Sequence, residues 1–180
     1  MAHPSAQSIL DALWPEEAPQ WMRVYAVLDA ARDDRIFDAV DGCCEDKSCL
    51  YAGKLPFALL RAAPYLVELS KGGPFLSYLI EQGWGNSWGI FLRSDRGMIE
   101  VRRHLRHFLR VQDEGGRRLI FRWYDPRVLR VYLPTCYPEE IRAFFGPIEM
   151  FAMEAKEPSA LLQFQVVGGA LYPSRRDLAR

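Results

Sequence analysis

Residues 118–134 read RLIFRWYDPRVLRVYLP, and the way this stretch folds decides how the rest of the chain is arranged. Leu119 to Tyr124 is an apolar and aromatic run of strand length, so a strand is predicted there. Asp125 and Pro126 halt it. Asp is a good helix N-cap, and proline fits the first helical turn, where its missing N–H loses no bond. Val128, Leu129, Tyr132 and Leu133 then follow at helical spacing, and Pro134 closes the segment. A strand is thus expected to feed a capped helix almost without a loop. Arg122, Asp125, Arg127 and Arg130 crowd that junction. Two readings of these charges stay open. Asp125 caps the helix while the arginines pair with carboxylates beside a strand end, or the arginine forks form a recognition surface.

Composition narrows the class. The 180 residues are 49% hydrophobic and 13% aromatic, enough for one packed domain. Lys+Arg and Asp+Glu balance at 23 each, which argues against general affinity for nucleic acid or membranes. The balance is uneven along the chain. Residues 1–60 hold ten acids and five bases, whereas 93–130 hold eleven arginines and five acids. Nineteen arginines against four lysines favour specific pairing over simple solubility. No run of about 18 apolar residues occurs, so no membrane insertion is expected. The N-terminus lacks a basic region followed by an apolar run, and a cytoplasmic location is expected. Cys43, Cys44, Cys49 and Cys136 lack the paired spacing of a zinc site and are expected to be reduced thiols.

Outward from the junction, strands and helices alternate. Arg23 to Leu28 is a buried strand ending at Asp29. A helix follows with Ile36, Phe37 and Val40 on one face and Gly42 as its stop. A brief strand is expected at Cys49–Tyr51, a turn at Gly53–Pro56 and a further strand at Pro64–Leu69. A short amphipathic helix from Phe75 ends at Gly83. Ser94 to Val111 shows the strongest helical pattern. Met98, Val101, Leu105 and Phe108 share one face, and Arg102, Arg103, Arg106 and Arg110 lie largely on the other. Asp113 to Gly116 turns back into the 118–134 stretch. Later come a helix opened by Pro138, strands at Ile148–Met153 and Leu161–Val167, and a mobile tail from Tyr172. This order favours an α/β or α+β fold, a mixed β-sheet flanked by helices in a single domain.

Gly83-Trp84-Gly85-Asn86-Ser87-Trp88-Gly89 follows a helix and precedes a strand, the reverse of a dinucleotide-binding loop. Its glycines point to close backbone packing. At least one of Trp84 and Trp88 is expected to be buried against the sheet. His104 and His107 share a helical face, but arginines surround them and no further ligand stands at metal-site spacing, so solvated or partner-facing rings are expected. The acid pairs Asp33-Asp34 and Glu45-Asp46 suit helix starts and loops. No nucleophile elbow, phosphate loop or zinc-protease motif occurs. A hydrolase built from Asp29, Asp33 and His104 is the weaker reading, and no cofactor and no enzymatic activity are expected.

Several segments together resemble the domain-of-unknown-function 4123 family, the adaptor chaperones of bacterial type VI secretion. They are Tyr25 to Asp33 (YAVLDAARD), Ala63 to Val67, Gly83 to Ile90, His104 to Arg106 and Phe121 to Leu129 (FRWYDPRVL). Leu133 to Thr135 and Phe144 to Pro147 extend the match, which runs in order over roughly residues 23–150. The resemblance implies an adaptor that binds a secretion effector, usually encoded nearby, and helps load it onto the spike protein. It also implies a domain at 23–150 between an N-terminal extension, 1–22, and C-terminal strands and tail, 151–180. That tail is shorter than in many members of the family. On this reading Arg102, Arg103, Arg106, Arg110, Arg122, Arg127 and Arg130 are the candidate partner contacts. Asp29, Trp84, Trp88, Tyr124, Asp125 and Pro126 form the structural motif. The competing reading is an arginine-rich nucleic-acid-binding module using 93–130.

Overall fold

The computed structural model describes residues 6–112 and 115–178. His3, part of the expected 113–116 turn and the last two residues of the expected tail lie outside them. The centre of the fold is strand β1 (Arg23–Asp29), whose six residues after Arg23 are all buried. Val24, Ala26 and Leu28 point to one face of the sheet, and Tyr25 and Val27 to the other. A strand buried on both sides has to lie inside a sheet covered twice. β1 pairs with β3 (Pro64–Leu69) on one side and with β4 (Gly89–Ser94) on the other. With β2 (Lys47–Cys49), β7 (Ile148–Glu154), β8 (Ala160–Val167) and β9 (Ala170–Asp177), the seven-stranded order is β2-β3-β1-β4-β7-β8-β9. Every pairing is antiparallel, which makes the fold α+β and corrects the expectation of a mixed sheet.

One face is covered by α1 (Ala6–Leu13), α2 (Asp34–Gly42) and α4 (Pro74–Tyr78), the last continued by a π-helical turn to Gly83. Asp33 caps α2, accepting the Arg35 N–H at 3.0 Å. The other face is covered by α5 (Met98–Arg106), α6 (Pro126–Tyr132) and α7 (Pro138–Phe145). The short α3 (Phe57–Leu60) stands beside that second layer.

Three expectations change. The strand drawn over Leu119–Tyr124 covers only Arg118–Ile120. That is β6, paired with β5 (Arg110–Gln112) in a separate two-stranded ribbon. Phe121 to Asp125 is an irregular turn closed by the Asp125 N–H on the Arg122 carbonyl at 3.1 Å. Its aromatics are buried as plugs: Trp123 and Tyr124 are at most 1% exposed, and Trp123 packs edge-on against both Phe144 and Tyr124. The long helix Ser94–Val111 shrinks to α5 plus a 3₁₀ turn to Leu109, because Ser94 finishes β4 and Arg110–Val111 join the ribbon. Tyr172 to Asp177 is not a loose tail but part of β9. Gly168 and Gly169, both with positive φ, turn the chain so that β9 pairs with β8 along its whole length.

The described part of the N-terminal segment, from Ala6, likewise packs on the domain. Ile9, Ala12 and Leu13 are buried in the first core, and the Ala12 carbonyl accepts a bond from Gln163 of β8 at 3.1 Å. The boundary drawn at residue 150 falls inside β7.

Candidate functional site

β1 and β7 run in the same direction, since each is antiparallel to β4 between them. Their last residues, Asp29 and Glu154, therefore finish at one end of the sheet, beside Gly89 where β4 begins. A carboxylate at each strand end has to be paired once buried, and the local sequence supplies the donors.

Asp29 is 1% exposed. Arg122 binds its Oδ2 through Nη2 and, at 3.1 Å, Nε, while the Ala31 N–H reaches Oδ1 at 3.2 Å. Burial pushes the Asp29 carboxyl above the usual aspartate range, against the pull of Arg122 and of the Ala31 N–H. Asp125 caps α6 as expected, taking the Arg127 N–H at 2.9 Å. The Arg127 guanidinium closes back on both carboxylate oxygens, at 3.0 Å and 2.6 Å. Burial would raise this carboxyl too, but the side-chain and backbone bonds from Arg127 outweigh it and hold Asp125 below the usual range. Pro126 is buried at the first helical position, and burial drives the Tyr124 hydroxyl far above its ordinary value.

Glu154 was not singled out in the sequence, where the strand was ended at Met153. It is 7% exposed and braces the 83–89 loop. Oε2 accepts the Gly85 N–H at 2.5 Å, and Oε1 accepts the Ser87 N–H and hydroxyl, both at 3.1 Å. Burial raises its pKa, opposed by those bonds and by the positive field of Arg130. The signal was present: an acid closing the apolar run MFAM of the strand IEMFAME needs a partner once buried. Both loop tryptophans are buried, Trp84 at 6% and Trp88 at 3%, and Trp84 Nε1 donates to the Pro158 carbonyl at 2.6 Å. The close packing read from the glycines is real at Gly89, where a Cβ would collide with the Val27 carbonyl of the next strand.

The arginines of α5 are not one open face. Arg106 is half-buried and turned onto the chain's own backbone, donating to the carbonyls of Cys49, Leu50 and Tyr51 at 3.0, 2.9 and 2.9 Å. Arg102 is also half-buried and donates to Ser48 Oγ at 3.0 Å. The expectation that both lie free on a polar face is corrected, because Ser48 and the carbonyls of Cys49, Leu50 and Tyr51 lie beside α5. Arg103 and Arg110 are exposed. His104, expected to be solvated or partner-facing, is half-buried. Its Nε2 lies 2.8 Å from the Phe144 carbonyl, and its ring fills the space beside Gly146, whose φ is +49°. Burial lowers its pKa.

Asp29, Asp33 and His104 are thus engaged separately, with Arg122, with Arg35 and with the α7 backbone. Among the described residues no group of three or more His, Cys, Asp or Glu is placed to hold a metal ion, and no helix is long and apolar enough to cross a membrane. The four cysteines are free thiols.

Taken together, the fold and this end of the sheet define an α+β domain in which buried carboxylates are locked by arginine and loop donors, with other arginines left on the surface. The family comparison agrees with the motifs that carry this arrangement. The model of the family described as Domain of unknown function (DUF4123) matches residues 24–143, from β1 through α7, and the chain belongs to that family. No curated protein and no solved structure gave a significant match.

Proposed function

We propose that this protein is a cytoplasmic adaptor that binds a type VI secretion effector directly, helps load it onto the spike protein and has no turnover of its own. The observation that carries the reading is membership of the family over residues 24–143, a stretch containing the Asp29–Arg122 and Asp125–Arg127 pairs and the exposed ribbon. The surface is compatible with such a role: Leu59, Val111, Leu119 and Ile120 are 41–59% exposed, an apolar display suited to a protein partner. The competing nucleic-acid reading loses support, since a phosphate-binding stripe needs free cations. Arg102, Arg106, Arg122 and Arg127 already have intramolecular partners.

The test is co-purification of the tagged protein with the products of neighbouring reading frames and with the spike protein. Retention of an effector through size exclusion is the expected result. A wild-type protein that retains neither effector nor spike would sink the adaptor reading.

A further inference from the structure

The β5–β6 ribbon stands apart from the main sheet, and between it and the 50–59 segment runs an open groove of about 370 Å³. Tyr51, Leu55, Leu59, Leu109 and Ile120 give it an apolar lining, and its rim carries Arg110. The ribbon's register explains the mixture. Arg110 lies opposite Ile120 and Gln112 opposite Arg118, so these four side chains share one ribbon face, while Val111 and Leu119 share the other. Isolated two-stranded ribbons are marginal in water, and this one leaves three apolar side chains 41–59% exposed. Among the described residues no acid lines the groove. Its second arginine, Arg106, is committed to backbone carbonyls, whereas Arg110, Arg118 and Lys54 of the facing loop are exposed. Among the described residues neither Arg110 nor Arg118 enters an ion pair.

We infer that this groove is a docking site for an acidic segment of the partner protein that carries apolar side chains, its leucine- or phenylalanine-type residues seated between Leu59 and Ile120 and its carboxylates facing Arg110 and Arg118. The inference rests on the adaptor reading for the partner's identity, the effector. Charge and shape decide the chemistry: the apolar floor needs an apolar occupant, and a rim that is cationic among the described residues repels a basic one.

The experiment measures effector binding by calorimetry for four forms: wild type, Leu59→Asp/Ile120→Asp, Arg110→Glu/Arg118→Glu, and Tyr172→Asp as a control on the exposed β9 strand. Both groove forms should bind at least about thirtyfold more weakly, the effect of a lost interface hot spot. The control should bind like wild type, and wild-type affinity should fall as salt is raised. Circular dichroism checks the fold of each form. Should a double variant fail to fold, a photo-crosslinking phenylalanine derivative at position 120 replaces it and should capture an acidic effector peptide. Wild-type affinity in both groove forms, or capture of a basic or neutral peptide, overturns the groove while leaving the adaptor standing. A wild type that dimerises through Ile120, lost in Leu59→Asp/Ile120→Asp by light scattering, assigns the groove to a second copy and also overturns the inference. Failure of the wild type to bind any effector removes both readings.

Discussion

The strand-end junction and the ribbon are equally rich in arginine, yet they use it in opposite ways. At the junction, Arg122 and Arg127 close on carboxylates that are 1% and 3% exposed, and Arg106 nearby is held by three carbonyls. In the ribbon, Arg110 and Arg118 stand in solvent beside exposed apolar residues. The residue type is the same and the surroundings differ. A guanidinium beside an unpaired buried acceptor becomes part of the structure, because an orphaned carboxylate or carbonyl in the interior is expensive. A guanidinium with no such neighbour remains available to a partner. Counting arginines along the chain therefore overstated the binding surface, and only burial of their neighbours sorts the two kinds.

The largest way to sharpen this contrast lies at Glu154. Removing it in Glu154→Ala strands the Gly85 and Ser87 N–H groups under the tryptophan loop and should lower unfolding stability by about 3 kcal/mol. Urea denaturation measures this. A loss near zero would mean that the loop is held by its tryptophans alone.

Next in size is a matched pair. Arg106→Ala abandons three carbonyls and should cost about 2 kcal/mol, while Arg110→Ala should stay within about 0.5 kcal/mol. Equal losses in parallel thermal melts would erase the distinction between structural and free arginines.

The smallest effect is in pH dependence within the junction itself. Asp29 is raised, so its contribution is complete below the ordinary aspartate value of 3.8 and is lost as pH rises through its folded pKa. Asp125 is lowered, so its contribution is present above 3.8 and is lost as pH falls through its folded pKa. Carboxyl carbon NMR titration should place the two on opposite sides of 3.8, and the reverse order would break the pairing scheme.

Much of the architecture was legible because it rests on local chemistry. β1 announces itself by five consecutive apolar residues, Val24 to Leu28, α6 by Asp125-Pro126, and α7 by Pro138 with acids behind it. The candidate site was half legible. Asp29 and Asp125 lie in the quoted motifs, but the bond from Arg122 to Asp29 spans 93 positions and no local pattern encodes it. The same holds for Arg106, whose carbonyl partners lie 55–57 positions away. Helical periodicity placed it on a polar face correctly, yet could not say that another segment would cover that face. The misread strand at 119–124 has a similar cause. Apolar aromatics satisfy burial equally well from a turn: Trp123 packs against Phe144 on α7, and Tyr124 against Trp123.

The sheet order carries a consequence for synthesis. β4 finds one neighbour, β1, early in the chain, but its other neighbour, β7, arrives only with residues 148–154, after α5, the ribbon, α6 and α7 have been made. Until then Ile90 to Leu92 form an apolar strand with an open side, the kind of edge that recruits foreign strands. Closing it requires a long-range pairing, which forms slowly compared with local helices. On the ribosome this chain therefore passes through a stage in which a client-like surface is its own, and residues 148–154 end that stage by sealing the middle of the sheet.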